Sequence, residues 1–300
     1  MAVPALLIPA VRLGSDPVFS YGVGAQSNEG GATIGIPWVA GPRVERLFAG
    51  SGLNVMVWKA VVNAENIEQA SYEIYAAMLG EVRSANLVRV WNYVPEINRV
   101  EGGMERYRSF SVGRSRAFED RWGSGFEDRL PAASAVGAPA GELTVIAVWG
   151  EGVAVPLENP AQVPAYRYPS EYGPRAPSFA RATHFVTATD EWVFISGTAA
   201  VRGHASMAPD NLAEQVGLTL DNLSLMGRQS GIGADLGATG GWRRGFKVYL
   251  KRASDRAAVA ALIGDRWSGA ADHVVWVEAD ICRRELVVEI EATLRRPRSV

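Results

Sequence analysis

Glu289 is the leading candidate for chemistry in this sequence, and it stands in the segment LVVEIEATL. Alternation there puts Leu286, Val288, Ile290, Ala292 and Leu294 on one face of a predicted strand. Glu285, Val287, Glu289 and Glu291 share the other. The apolar face packs on helices, so the carboxylate face must meet solvent or a cleft. In solvent it is an ordinary hydrated strand face. In a cleft with apolar walls a carboxyl has its pKa raised and can donate a proton near neutral pH. Seven residues earlier comes Cys282, the single cysteine of the chain. It reads either as a thiolate activated by flanking arginine or as a small buried hydrophobe. His184, His204 and His273 are scattered and form no HxxxH pair, so no metal site is expected. His204 is open between an acid–base role and a loop cap.

Arginine and tyrosine interleave where proline keeps the backbone irregular: Arg106, Tyr107, Tyr166, Arg167, Tyr168, Tyr172, Arg175 and Arg181. Arginine holds a carboxylate through its planar fork, and ligand residues favour irregular loops on a rigid scaffold. Any single one of these arginines could merely stack on a surface aromatic; the cluster is the expected anion site. Gly197, Thr198 and Ala199, in SGTA, lack the phosphate-loop pattern and are expected to bring backbone N–H groups near a carboxylate. The glycine-rich GIGADLG follows a predicted helix instead of a strand, so a dinucleotide loop is rejected.

These residues need a scaffold. The chain has 300 residues, 48% hydrophobic and 21% charged, which are values of a globular protein. Lys and Arg number 30 against 32 Asp and Glu, a net charge of −2, which argues against a nucleic-acid binder. No apolar run approaches the ~18 residues of a membrane span. The apolar N-terminus lacks a basic region and does not read as a signal peptide, so a cytoplasmic location is expected.

Periodicity predicts a helix over 65–83, a strand from Leu87 ended by Pro95, a helix over 114–122, a loop over 131–140 and a strand over 143–149. A proline-studded stretch follows to residue 182. Then come HFVTAT and WVFISGTA, joined at Asp190-Glu191, and a helix over 211–226 capped by Asp210. After a glycine-rich loop from Gly227 to Gly241 lie a strand over 242–252, a helix from Ser254 or Asp255 to Ile263, and two last strands. This is an α+β fold, a mixed β-sheet with helices on one face. The first half, with strands near 34–60, reads as a second related unit. The expected division is 1–150, a proline-rich substrate-site segment at 151–183, and 184–300.

The C-terminal unit resembles the RidA (YjgF-type) superfamily in FISGTA (194–199), the helix bearing Gln215 and Asn222, FKVYL (246–250) and VEIEA (288–292). The chain as a whole resembles the chorismatases. That resemblance rests on VRVWNYVPEIN (88–98), MERYRSFSVGRSRAF (104–118), the 156–182 stretch, FISGTAAVRGHAS (194–206) and CRRELVVEIEA (282–292). It implies a RidA-like fold of two units and a lyase or hydrolase without cofactor that removes pyruvate from chorismate in specialised metabolism. Glu289 would be the proton donor and Cys282 a catalytic residue. Arg106, Arg167, Arg175 and Arg181, with the neighbouring tyrosines, would hold the two carboxylates. Chorismatases that make 3-hydroxybenzoate have a cysteine seven residues before the glutamate, as here. Ala199 matches instead the type that hydrolyses chorismate to trans-3,4-dihydroxycyclohexa-1,5-diene-carboxylate. The cysteine favours 3-hydroxybenzoate. The rival from another class is a RidA-like imine deaminase or small-ligand binder. Partners are chorismate and its products, without nucleic acid or membrane, in a monomer or homotrimer.

Overall fold

The computed structural model describes residues 43–50, 52–63, 66–83, 85–264 and 272–298; the strand expected from residue 34 begins outside them. The first half runs β1 (Arg43–Gly50), β2 (Leu53–Val61), α1 (Ile67–Val82), β3 (Asn86–Pro95), a ribbon of β4 (Val100–Glu101) and β5 (Met104–Glu105), α2 (Arg106–Trp122), β6 (Ala132–Ala138) and β7 (Glu142–Gly150). The second runs β8 (Val153–Leu157), β9 (Ala182–Val186), β10 (Asp190–Thr198), a ribbon of β11 (Val201–Arg202) and β12 (Ala205–Ser206), α3 (Leu212–Gln229), β13 (Arg243–Leu250), α4 (Arg256–Gly264), β14 (His273–Glu278) and β15 (Val288–Pro297).

Among the described residues the halves form two mixed sheets, ordered β1-β2-β7-β3-β6 and β9-β10-β15-β13-β14, the latter extended by β8 beside β9. The chain takes the same path through both. In each, a hairpin leads to a helix, a strand, a second helix, a parallel edge strand, and a last strand that inserts into the middle. The sheets stack face to face over Val55, Val88, Trp91, Phe185 and Trp192. Helices α1 and α2 cover the outer face of the first sheet through Ile74, Tyr75, Phe110 and Phe118. Helix α3 covers the second through Val216, Leu220 and Leu223, against Val288, Ile290 and Ala292 of β15. The architecture is therefore α+β with helices on one face of each sheet, as expected.

Several local expectations need correction. Residues 131–140 are not a loop: PAASAVGAPA supplies β6, the parallel edge of the first sheet. Its residues are small because the other half lies against its outer edge. There Ala132 N donates to Thr183 Oγ1 (2.8 Å), Ala133 N to Ser196 Oγ (2.8 Å) and Gly137 N to the Asp280 carbonyl (2.7 Å). Helix α2 starts at Arg106, eight residues earlier than expected, because its buried face carries Arg106, Ser111 and Arg114 among Phe110 and Phe118 and so hides its period. The turn between β9 and β10 is made by Thr187, whose Oγ1 accepts from Asp190 N (3.0 Å), and Asp190 itself opens β10 in an ion pair with Arg295. Asn211, not Asp210, caps α3, accepting from Glu214 N (3.1 Å). Gly227 lies inside α3, where an added Cβ would stand 2.2 Å from the Gly233 carbonyl oxygen.

Gly113 lets α2 lie on α1: a Cβ there would meet the Glu68 carbonyl oxygen at 2.0 Å and Ser71 Oγ at 2.3 Å. Overpacking should outweigh the better helix propensity of alanine. Gly113→Ala is therefore expected to lower stability by about 1–3 kcal/mol in urea unfolding. A change under about 0.5 kcal/mol would mean that the helices separate freely.

Candidate active site

Strand β15 carries two carboxyls, Glu289 and Glu291, on the face turned towards the first sheet, and both are 3% exposed. Their surroundings differ. Glu291 is held by groups from both sheets. Arg89 Nη2 reaches its Oε2 at 2.7 Å, Ser134 Oγ donates at 2.6 Å, Trp91 Nε1 donates to Oε1 at 2.5 Å and Tyr249 OH donates at 3.0 Å. Lys247 Nζ completes the set at 3.0 Å. Burial alone would raise its pKa, but the charges of Lys247 and Arg89 and the bonds from Ser134 and Trp91 outweigh burial and hold it down at about 2. Glu291 is an anion at neutral pH.

Glu289 has no such set, and its Oε1 is buried without a hydrogen-bond partner. Burial, then the charge of Glu291, push its pKa up to about 8 against the pull of Arg89 and Arg181. At neutral pH it therefore keeps its proton. Room for its carboxyl comes from β10, whose register against β15 shifts between Ile195 and Thr198. Bulges of this kind re-aim strands at functional sites. The shift brings Gly197 beside the acid: a Cβ on Gly197 would lie 2.0 Å from Glu289 Oε1. Gly197 N is tied to Ser134 Oγ at 2.9 Å, so the same hydroxyl serves Glu291 and the bulge.

Glu289 opens into a cleft between the sheets. Its walls are Tyr107 and Arg114 from α2, Ala133, Ser134 and Ala135 from β6, Gly197, Phe179 and Cys282. Arg114 is 1% exposed, stacks over Phe110 at 4.9 Å, and leaves Nε and Nη2 without partners. A buried guanidinium with free donors beside a cleft is a ready carboxylate site. Arg181, 7% exposed, packs on the ring of Phe179, donates from Nη2 to Tyr168 OH (2.6 Å) and leaves Nε unpartnered. Burial, then the nearness of Glu289, push the Cys282 thiol up to about 12. It is a neutral thiol, and the activated-thiolate alternative falls. Among the described residues no group of His, Cys, Asp and Glu is arranged to hold a metal ion.

Residues 43–148 match the family model "Chorismatase FkbO/Hyg5-like, N-terminal". A 3-hydroxybenzoate synthase of Streptomyces hygroscopicus is 39% identical over 238 residues, covering 75% of this chain and 68% of the relative. A chorismatase of Streptomyces rapamycinicus is 36% identical, covering 72% of the chain and 66% of the relative. A crystal structure of chorismatase superposes with a TM-score of 0.71 at 32% identity, covering 81% of this chain and 74% of that one. The chain belongs to the chorismatase family.

Of the residues expected at a chorismatase site, the structure brings Tyr107, Gly197, Cys282 and Glu289 to one cleft, with Arg181 beside Phe179. Others lie elsewhere. Arg106 is buried against Glu101, with Nε 2.8 Å from its Oε2, and donates to the Pro95 carbonyl, so it holds the β4–β5 ribbon. Arg175 makes an exposed ion pair with Glu119 (2.9 Å). Arg167 is exposed over the ring of Tyr166, which packs on the first-half core. Tyr168 acts through Arg181 and stacks with Tyr172 and Arg283. Thr198 turns its hydroxyl to the Ser196 carbonyl, and Ala199 packs in an apolar cluster with Val201 and Tyr249. His204 joins Tyr172 (3.1 Å) on the outer side of that loop.

Residues that the sequence reading missed include Arg114, Ser134 and Phe179 of the cleft and Glu158 near Arg181. Arg114 lies seven positions after Tyr107, two helical turns along one face, so the spacing was there to be used. Ser134 sits in a small-residue strand that carries no signal. Glu158, in the proline-rich segment, has both carboxyl oxygens buried without partners; burial raises it to about 7 against the opposing charge of Arg181.

The Glu289 shift also bears on stability. In the unfolded chain this carboxyl ionises near ~4.3, whereas in the fold it does so near 8. Between those values the unfolded state gains from ionising and the folded state does not, so stability falls as pH rises through the window. Glu289→Gln cannot titrate and should therefore be the more stable form at pH 8, by upwards of about 1 kcal/mol relative to its difference at pH 4.5. Denaturant titration at both values measures this. A pH-independent difference would place the Glu289 pKa near the ordinary carboxyl range.

Proposed function

We propose that this chain converts chorismate to 3-hydroxybenzoate and pyruvate, with Glu289 as the acid. The observation that carries this is a protonated, buried carboxyl facing a cleft that also presents the free donors of Arg114. The substrate is a dianion with a ring carboxylate and an enolpyruvyl carboxylate. Arg114 holds one carboxylate, and Arg181, packed on Phe179 of the cleft wall, holds the other. Such charge-assisted contacts are strong when desolvated. Glu289 delivers its proton to the enol-ether methylene, which gives an oxocarbenium-like centre at the ether carbon. The ether bond to the ring then breaks and pyruvate leaves. The ring rearranges and loses a proton to become aromatic, so the two products together contain the atoms of chorismate and no water enters.

Cys282 bears on the choice between products. As a neutral thiol in the cleft wall it offers an incoming water only a weak hydrogen-bonding partner, and water is the reagent that the diene acid requires. Ala199, the feature that pointed to hydrolysis, is not among the residues that line the cleft. The position of Cys282 therefore favours aromatisation. Hydrolysis to the dihydroxy-diene acid remains the second reading.

Four measurements test this. Pyruvate release from chorismate is expected to drop by roughly two or more decades in Glu289→Gln, with the fold intact by circular dichroism. The wild type should lose activity as pH rises through about 8, because the acid works only while protonated. Wild-type turnover in the variant removes Glu289 as the acid. Arg114→Ala should raise KM by roughly ten- to a hundredfold through loss of a charge-assisted contact worth ~1.5–3 kcal/mol. An unchanged KM would put the anion site elsewhere. In Cys282→Ala the diene acid should appear beside 3-hydroxybenzoate at undiminished pyruvate release. Chromatography of the two acids reads the ratio, and an unchanged ratio assigns aromatisation to the other walls.

A further inference from the structure

The two carboxyls of β15 stand two positions apart on one face, so each feels the other's charge. Groups from every surrounding element face Glu289. Arg89 comes from β3, Arg114 and Tyr107 from α2, Arg181 from the segment before β9, Cys282 from the bend before β15, and Tyr249 from β13. Lys247, also on β13, stands across the ladder from Glu291, as Tyr249 does from Glu289. Three of these neighbours are permanent cations that favour an ionised Glu289, while burial and then the charge of Glu291 act against them. The one anion that opposes them is Glu291, and it is fixed in place by donors of both sheets.

We propose that Glu291 is a positioning residue for the reaction: locked between the sheets by Arg89, Trp91, Ser134, Tyr249 and Lys247, it sets a fixed negative charge beside the buried Glu289 that adds to burial in holding the proton there. Lys247 sets the strength of this effect by partly neutralising Glu291. Ser134 adds a mechanical link, since its hydroxyl bonds Glu291 Oε2 (2.6 Å) and accepts from Gly197 N (2.9 Å), the residue against which the Glu289 carboxyl lies. The proposal rests on the reading of Glu289 as the acid.

The test is the pH dependence of kcat/KM for pyruvate release, measured from pH 5 to 10 on the full chain. Neutralising Glu291 in Glu291→Gln removes the like charge and leaves Arg89 and Lys247 uncompensated, so the alkaline fall in activity should move to lower pH by roughly one unit or more. Lys247→Met removes a cation and leaves Glu291 more exposed electrically, so the same fall should move to higher pH. The opposed directions separate this role from a structural one, which would lower activity at every pH without moving the profile. If Glu291→Gln does not fold, Lys247→Met decides alone. A fall that stays at the wild-type pH in the folded variants, or that moves the wrong way, overturns the proposal. Glu289→Gln separates the two failures. If it keeps wild-type activity and profile, the acid reading itself is wrong. If it is inactive while the other variants retain the wild-type profile, only the role of Glu291 is lost.

Discussion

The rest of the structure depends on one ionised carboxylate buried between two sheets. Taking Glu291 out of water costs several kcal/mol unless its lone pairs are met. They are met by residues that lie far apart in the chain: Arg89 and Trp91 on β3, Ser134 on β6, Lys247 and Tyr249 on β13. The halves must therefore close on each other in a single register, because any slip would leave Arg89, itself fully buried, beside nothing of opposite charge. The small residues of β6 and the shift in β10 make sense as the room this closure requires.

Out of that constraint comes a division of labour between chemically identical side chains. Glu289 and Glu291 are neighbours on one strand face, yet one is held ionised and the other protonated. The difference lies in donors. Glu291 receives a full shell of them, whereas Glu289 Oε1 receives none. Pairs of titratable groups whose surroundings drive their pKa values apart are a recurring way to obtain acid chemistry at neutral pH. The first half supplies Arg89 and Arg114, and the rest of the chain supplies Arg181, Lys247 and both carboxyls, so the cleft belongs to neither half alone.

Much of this was legible in the sequence. Strict alternation through LVVEIEATL placed Glu289 opposite the helix-packed face, and the order of strands and helices gave the α+β class. The arginines were less legible. Residue type and neighbourhood marked Arg106, Arg167 and Arg175 as strongly as Arg181, but whether an arginine is free depends on carboxylates distant in the chain or hidden in a turn: Glu101 takes Arg106 and Glu119 takes Arg175. Arg114 was obscured for the opposite reason. It lies in a helix whose buried face is partly charged, and a hydrophobic period does not register charge that is buried for use. The alanine-rich β6 was read as a loop because small residues signal turns when their neighbours are unknown, and here the neighbour is the other half of the chain.

The insertion of β15 between β10 and β13, both made before it, has a consequence for how the molecule comes into being. Until β15 arrives the second sheet has a gap at its centre. The edges of β10 and β13 then stand open to pairing with any other chain. Arg89 and Lys247 wait without a counter-charge, and Glu289 and Cys282 are absent from the cleft. Closing the gap repairs all of these faults in one step, so scaffold and chemistry are acquired together. A chain caught short of that step is both inactive and open to association through those edges.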